Sequence, residues 1–538
     1  MSSLLSSKEI RRGLFYSFLF ALPLLPLLFT IIRLDYTAYN NSSDTFLYLD
    51  IAKNILAGRG PVVSFNVYQY WTGTFYPATI FIHTGFSYIL AFLYALSPSI
   101  PSLILFNLAI VFLNLWLIFF LAKRLYKDDA LGVWAALIIA ASVSVEVTAL
   151  RLLTEQISLL VTLFAAYIFI ADGVTARRKT ITVGLLLSIG IFIRSSSAIY
   201  PLAFFVAALC QGARGKNTRT PWAQALPYVL WPLCALALYE TVVYFKFHSF
   251  FPQYPAAFKN YYLAAFGSNG SFTLINLAEM SKVLFCILRV LIIFAVLRAY
   301  KVLKTSDRRE GLFLWLAVLQ IAATIFFYPY MRIGEFQWTR FLLLPVVCLL
   351  LLAMDELKSF CLRFFSRTAL QMLLFHSILA IVFLSNLYQS ARVLEAYWQE
   401  AKAGIKVREL TALARWVKDN TKEQDLVAVS EYIIGGVYLD RPTIVLPSYN
   451  ALTGNKLDAF IKIYKPQAII FENTLSITPE LERIGYKKAS SSAPGAPGAE
   501  VRPRPRIARS DLGKTFDIFT CHPKMIMSYL TNFKMSCS

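Results

Sequence analysis

The chain has 538 residues, of which 57% are hydrophobic and only 15% charged. Soluble globular domains carry about 25% charged residues, so this composition excludes an ordinary soluble enzyme. The formal charge of +21 does not indicate a nucleic-acid partner: the basic residues lie in short segments between apolar runs, such as Arg177-Arg178-Lys179 and Arg214, Lys216 and Arg219, the distribution that orients membrane spans.

The chain opens on "MSSLLSSKEIRRGLFYSFLFALPLLPLLFTII". A basic flank (Lys8, Arg11, Arg12) precedes a long apolar run with no small-residue cleavage site, which predicts an uncleaved first span with the N-terminus inside. Further apolar runs predict spans at 80–96, 102–122, 131–148, 155–171, 180–193, 197–210, 226–245, 283–299, 311–329, 338–353 and 370–387, after the first at 13–32. Runs near 20 apolar residues are long enough to cross the hydrocarbon; the shorter ones need flanking residues or local thinning. The basic N-terminus lies inside, and the basic segments 211–219, 300–310 and 354–369 lie inside and leave residues 388–538 outside, so the number of crossings is expected to be odd. Counting from either end disagrees between residues 80 and 210, so one segment there is split, missed or re-entrant. The expected fold class is an all-α polytopic membrane protein with 11–13 transmembrane helices over residues 1–387.

Three regions are too polar to span. Loop 33–79 is rich in Tyr, Trp and Asn. Segment 246–282 carries the aromatic run "FFPQYPAAFKNYYLAAF". Beyond 387, Leu410, Leu413 and Val417 recur at helical spacing, while "DLVAVS" and "QAIIFE" read as short buried strands. Residues 388–490 are therefore expected to form a small extracytoplasmic α/β domain, and 491–538 a Pro/Gly/Arg-rich linker and tail. The seven cysteines include no CxxC pair and the four histidines no HxxxH, so no ligand set supports a divalent metal.

The stretch Asp44–Gly60, "DTFLYLDIAKNILAGRG", places Asp44, Tyr48, Ala52 and Leu56 near one helix face, and Gly58 and Gly60 then end the helix. Asp44 follows the turn-forming "YNNSS", where an acid either caps the helix or presents a carboxylate at the membrane surface.

This stretch resembles the first extracytoplasmic loop of the GT-C type polyprenyl-phosphate-dependent glycosyltransferases, the superfamily of the protein O-mannosyltransferases and the lipid A aminoarabinose transferases. The match is Asp44, Tyr48, Ala52, Leu56, Gly58 and Gly60. Tyr76-Pro77 resembles the family's Tyr-Pro entry into the next span, with Ala78 where a second proline is common. Thr154-Glu155 resembles its acid before a span, Gly190 and Arg194 its small and basic positions, and Arg340 with Pro345 its Arg-aromatic-Leu-Leu-Pro pattern. The resemblance runs in order through residues 10–450.

The resemblance implies a sugar donor linked to polyprenyl phosphate and an inverting transfer to a lipid-linked glycan, a polymer or a protein outside the inner membrane. It implies a multi-pass plasma membrane location with the active site and the C-terminus extracytoplasmic. Such a transfer needs a base at the acceptor hydroxyl and positive charge on the leaving phosphate. Asp44 is expected as the base and Arg340 and Arg194 as phosphate contacts, an Arg offering the planar fork that phosphate suits. Glu155, Tyr48 and Tyr76 are expected to orient acceptor or sugar. Each position also has a simpler reading: Arg194 as a snorkelling anchor, Arg340 paired with Glu335, Glu155 paired with Arg151, and Asp50 or Asp35 as the base instead. The alternative function is a polytopic transporter or flippase for a lipid-linked substrate, which broken spans with ionisable groups would favour.

Overall fold

The computed structural model describes residues 7–33, 43–62, 65–66, 84–212, 221–247, 273–305, 308–327, 335–364, 368–403, 415, 417–429, 441, 443–445, 466, 468–471, 487–488 and 506–509. The described chain is largely helical. In order come α1 (Ser7–Ala21), a 3-10 turn (Leu22–Leu24), α2 (Leu25–Arg33), α3 (Ser43–Leu56), α4 (Thr84–Leu96), α5 (Ile100–Tyr126), α6 (Asp129–Ala140), α7 (Val143–Ala149), α8 (Thr154–Phe169) and α9 (Ala176–Ile193). After a second 3-10 turn (Ser195–Ile199) follow α10 (Tyr200–Gly212), α11 (Pro221–Ala225), α12 (Pro227–Phe247), α13 (Thr273–Leu288), α14 (Leu291–Thr305), α15 (Arg308–Phe327), α16 (Glu335–Phe341), α17 (Leu343–Phe364) and α18 (Thr368–Ala403).

Among the described residues, three helical stretches are long and apolar enough to cross a membrane: Glu9–Arg33, Ile100–Tyr126 and Thr368–Trp398. Two bent pairs raise the number to five if each pair is one span: α6 with α7, bent by 59°, and α13 with α14, bent by 105°. The run 283–299, expected as one span, is therefore broken in the middle. Arg289 adopts φ 52°, a left-handed conformation that an α-helix does not continue through. The expected span 338–353 is likewise divided between α16 and α17. The break at Ala141–Ser142 falls inside the region where the two topology counts disagree; there the Ser142 hydroxyl donates to the Ile139 carbonyl at 2.8 Å, a local bond that competes with the helix ladder. In the first span the 3-10 turn carries Pro23 at its start, where a ring without an N–H loosens the helix.

The helices pack through buried apolar faces. Helix α5 lies against α6 and α8, α9 against α8 and α12, and α14 and α15 against α17. Phe20, Phe169, Phe204 and Trp338 are fully buried. Outward-facing residues are apolar too: Leu14, Phe92, Leu238 and Ile381 are exposed. Such large exposed apolar surface is rare on water-soluble proteins and normal against lipid.

Six short strands, β1 (Phe65–Asn66), β2 (Val427–Val429), β3 (Thr443–Val445), β4 (Ala468–Phe471), β5 (Lys487–Lys488) and β6 (Arg506–Arg509), pair in the order β1-β3-β2-β4-β6-β5 with every ladder parallel. Two of these pairings differ from the sequence expectation. Strand β1 comes from loop 33–79, and β6 comes from the stretch expected to be linker.

Candidate active site

Four segments far apart in the chain converge on one charged cluster. Helix α3 brings Asp44 in its first turn, where the positive end of the helix favours an acid. The other end is closed by Gly58 and Gly60 at φ 75° and 82°, conformations that glycine adopts without the steric penalty of a Cβ. Asn54 secures this turn, donating to the Val62 carbonyl at 2.7 Å and accepting from Arg59 Nε at 2.6 Å.

Glu155 stands in the first turn of α8, just after the break that ends α7. A buried polar network holds this break. The Asn107 amide nitrogen of α5 lies 2.8, 3.0 and 2.8 Å from the carbonyl oxygens of Thr148, Ala149 and Arg151. One turn pair further along α5, Asn114 donates to the backbone and side-chain oxygens of Gln156 at 3.0 and 2.9 Å, and Gln156 donates to the Thr148 hydroxyl at 2.6 Å. Carbonyls at a helix end need partners when buried, and Asn107 supplies them from a neighbouring helix.

Arg194 ends α9 in an extended conformation. The 3-10 turn behind it is tied to α8 by the Ser158 and Ser197 hydroxyls, 2.8 Å apart. Close contact of α4 with α9 depends on Gly85, where a Cβ would lie 2.5 Å from Phe192. Arg340 lies in the last turn of α16, beside the fully buried Trp338.

At the centre, Arg340 bridges two carboxylates. Its Nη2 donates to Asp44 Oδ2 at 2.9 Å, and its Nε donates to Glu155 Oε1 at 3.0 Å. Arg194 Nη1 reaches the same Glu155 Oε1 at 2.9 Å, while its Nε donates to the Ser196 hydroxyl at 2.6 Å and its Nη1 to the Thr154 hydroxyl at 3.3 Å. Two acids and two bases cancel in net charge, the arrangement that makes buried charge tolerable. Side-chain exposure grades outward from 3% for Glu155 through 10% for Arg194 and 13% for Arg340 to 34% for Asp44. Asp44 is thus the member open to an incoming group. Arg340 Nη1 takes no part in these bonds, and Glu155 Oε2 is buried without a hydrogen-bond partner among the described residues.

Tyr48 sits one turn along α3 from Asp44, edge-on to Phe86 with ring centroids 5.0 Å apart. Burial, and then the Asp44 and Glu155 charges, push its phenol well above its ordinary value, so it remains a neutral hydroxyl beside the cluster.

The structure brings together Asp44, Tyr48, Glu155, Arg194 and Arg340. Tyr76 and Asp35 lie outside the described residues. Glu155 is paired with Arg194 and Arg340, whereas the Arg151 guanidinium lies 5.6 Å from the Tyr397 ring centre. Arg194 is buried and turned into the cluster, unlike a snorkelling anchor. Asp50 is buried on α3 and is not one of the two carboxylates that Arg340 bridges. Asn107, Asn114, Gln156, Ser158 and Ser197 have positioning roles that the sequence reading did not assign. A signal for two of them was present, because Asn107 and Asn114 are two turns apart in an otherwise apolar run and polar side chains inside membrane helices seldom lack a role. Among the described residues, no group of three or more His, Cys, Asp or Glu side chains could hold a metal ion.

Comparison with known proteins adds a family. Residues 84–245 match the family model described as dolichyl-phosphate-mannose-protein mannosyltransferase. No curated protein sequence shows a significant match. Among solved structures, the chain is similar to the oligosaccharyltransferase AglB from Archaeoglobus fulgidus, solved with an inhibitory peptide and a dolichol-phosphate: TM-score 0.53, 13% identity, covering 81% of this chain and 65% of that one. It is also similar to ArnT from Cupriavidus metallidurans in the apo state: TM-score 0.52, 12% identity, covering 83% of this chain and 91% of that one. This chain thus spans about two thirds of the length of AglB. At these identities the likeness is one of fold. Over residues 84–245 the chain thus resembles the dolichyl-phosphate-mannose-protein mannosyltransferase family, and its fold is similar to those of AglB and ArnT.

Proposed function

We propose that the protein is a glycosyltransferase that moves a sugar from a polyprenyl-phosphate donor to a lipid-linked glycan, polymer or protein acceptor on the extracytoplasmic face of the membrane. The observation that carries this reading is the Arg340 bridge between a buried carboxylate, Glu155, and a partly open one, Asp44. The carbon–oxygen bond to the acceptor forms as the sugar–phosphate bond breaks. The acceptor proton passes to Asp44, and the electron pair of the broken bond stays on the phosphate. A base must lie within hydrogen-bond reach of the proton that it takes, and Asp44 is the cluster's accessible carboxylate. Arg340 presents Nη1 to the phosphate, where charge develops as the sugar leaves. Arg194 adds a second positive charge from behind.

Glu155 holds both guanidinium groups in place through one oxygen, and its second oxygen together with Tyr48 and Tyr76 orients the acceptor or sugar. In this reading the shorter apolar helices complete 11–13 crossings. Loop 33–79 and the chain beyond α18 stand outside, the latter as a small α/β domain whose sheet takes in β6. The donor class agrees with the dolichol-phosphate bound to the structurally similar AglB.

The test is transfer from a panel of radiolabelled polyprenyl-phosphate sugars by the purified full-length protein, with and without Asp44→Asn. Loss of about 10²–10⁴-fold in the variant is expected for removal of a general base. Full transfer by the variant would remove Asp44 from the reaction, and no transfer from any donor would overturn the reading.

A further inference from the structure

A cavity of about 400 Å³ lies away from the charged cluster, between α2, the α6–α7 break and α18. It sits where two helices are interrupted: the Pro23–Pro26 region of the first span and the bend at Ala141–Ser142. Pro23, Pro26, Leu27, Leu387, Ala391 and Leu394 make its wall apolar. Into this wall projects Glu146, 2% exposed, with neither carboxylate oxygen hydrogen-bonded among the described residues. Ser390 lines the same space but gives its hydroxyl hydrogen to the Ala141 carbonyl at 2.9 Å. The exposed Glu395 supplies a second carboxylate to the lining, and among the described residues no Lys or Arg side chain lines it.

Buried carboxylates are ordinarily paired or hydrogen-bonded, because an isolated one is strongly disfavoured. The partner that this cavity lacks is a cation or a hydrogen-bond donor, and its apolar wall calls for a hydrocarbon body behind that head. At the rim, the Arg33 guanidinium stands 4.7 Å over the Phe29 ring, and Phe29 itself lines the cavity. The cavity therefore has a buried acid inside, Glu146, an exposed acid on its lining, Glu395, and an exposed base, Arg33, next to its Phe29 wall. Beyond the mouth, exposed Leu22, Leu25, Ile381 and Leu384 continue the apolar surface along the first span and α18.

We propose that this cavity is a binding site for a phospholipid with a primary ammonium head group. The ammonium sits between Glu146 and Glu395, the phosphate faces Arg33, and the acyl chains run along the first span and α18. An anionic phosphate head does not fit the interior, because it would meet the buried Glu146 carboxylate. The site is therefore separate from any that accepts the donor's phosphate.

The test uses the full-length protein, stripped of co-purifying lipid in detergent and followed by native mass spectrometry. Three probes are added: dioleoyl phosphatidylethanolamine, dioleoyl phosphatidylglycerol and n-hexylammonium. The ethanolamine lipid is expected to bind at least about tenfold more tightly than the glycerol lipid. Glu146→Gln should reduce it to the level of the glycerol lipid, and Ala391→Phe, which fills the cavity from α18, should abolish it while Glu146 remains. Unfolding temperature of each variant shows that the bundle is intact. Binding of n-hexylammonium with no preference between the lipids assigns a free amine and overturns the lipid. Equal binding of both lipids without amine binding, or ethanolamine-lipid binding unchanged in both variants, overturns the ammonium site altogether.

Discussion

Arg340 and Asp44 are 296 residues apart in sequence and joined by a 2.9 Å hydrogen bond. Arg340 also holds Glu155, so one planar side chain fixes the spacing of two acids from α3 and α8. Arg340→Lys keeps the charge but replaces a fork with a point donor, which cannot hold both acids and a phosphate at once. Transfer activity is expected to fall by about 10²–10³-fold, the usual effect of losing one charge-stabilising donor. Steady-state assays over donor concentration check this. Wild-type kcat and KM in the lysine variant would show that the fork has no part in the reaction.

Glu155→Gln removes the carboxylate that both Arg194 and Arg340 share. Breaking a buried ion pair by deleting one partner costs about 3–5 kcal/mol, because the other charge stays buried. The single variant should therefore unfold at clearly lower temperature. Glu155→Gln combined with Arg194→Met removes a charge of each sign and should recover part of the loss. Additive losses in the double variant, measured by thermal unfolding in detergent, would show that the two side chains are energetically independent.

Asn107→Leu leaves the carbonyls that close α7 without their donor. Each buried polar group left unsatisfied costs about 1–3 kcal/mol. The same substitution loosens the start of α8 and hence Glu155, so activity should fall further than stability alone accounts for. A variant that loses stability but retains full transfer by its folded fraction would limit Asn107 to a structural role.

Asp128 caps α6 through Ala130 N–H at 2.8 Å and pairs with Lys358. Burial pushes its carboxyl up, but the Lys358 ammonium and the Ala130 and Leu131 N–H groups outweigh it and hold the carboxyl below its ordinary value. A depressed folded value means that the stabilisation is complete above the unfolded value, about 3.9, and disappears as pH falls through the folded one. Asp128→Asn preserves a good cap and removes only the charge. The wild type should unfold at higher temperature than this variant near neutral pH, and the gap should close between about pH 4 and lower values. A gap that is constant over that range would exclude the charge as its cause.

The parts of the fold written in local pattern were legible. Apolar runs located α5 and the first span, and the four-residue recurrence from Asp44 to Leu56 located α3 with its glycine stop. The break at Arg289 was not, because one arginine inside the otherwise apolar run 283–299 carries no sign of a left-handed conformation. The residues of the charged cluster were nominated by their resemblance to a family. Their mutual geometry was not legible, since contacts between α3, α8, α9 and α16 leave no periodic trace in any one of them. Tyr48 fell out of the same helical spacing as Asp44, whereas the buried amides of α5 were passed over because two polar residues barely alter the apolar average of a long helix.

The pairing of β1 with β3, Phe65 beside Thr443 and Asn66 beside Ile444, gives the chain an unusual mechanical economy. Helix α3 is clamped at its first turn by Arg340, and nine residues past its last turn the same strand of chain is stitched to a sheet whose other members come from beyond residue 426. The two ends of the polypeptide thus share custody of one short helix. Shortening the chain at its far end unfastens the anchor downstream of Asp44, so a truncation hundreds of residues away acts on the helix that carries the carboxylate.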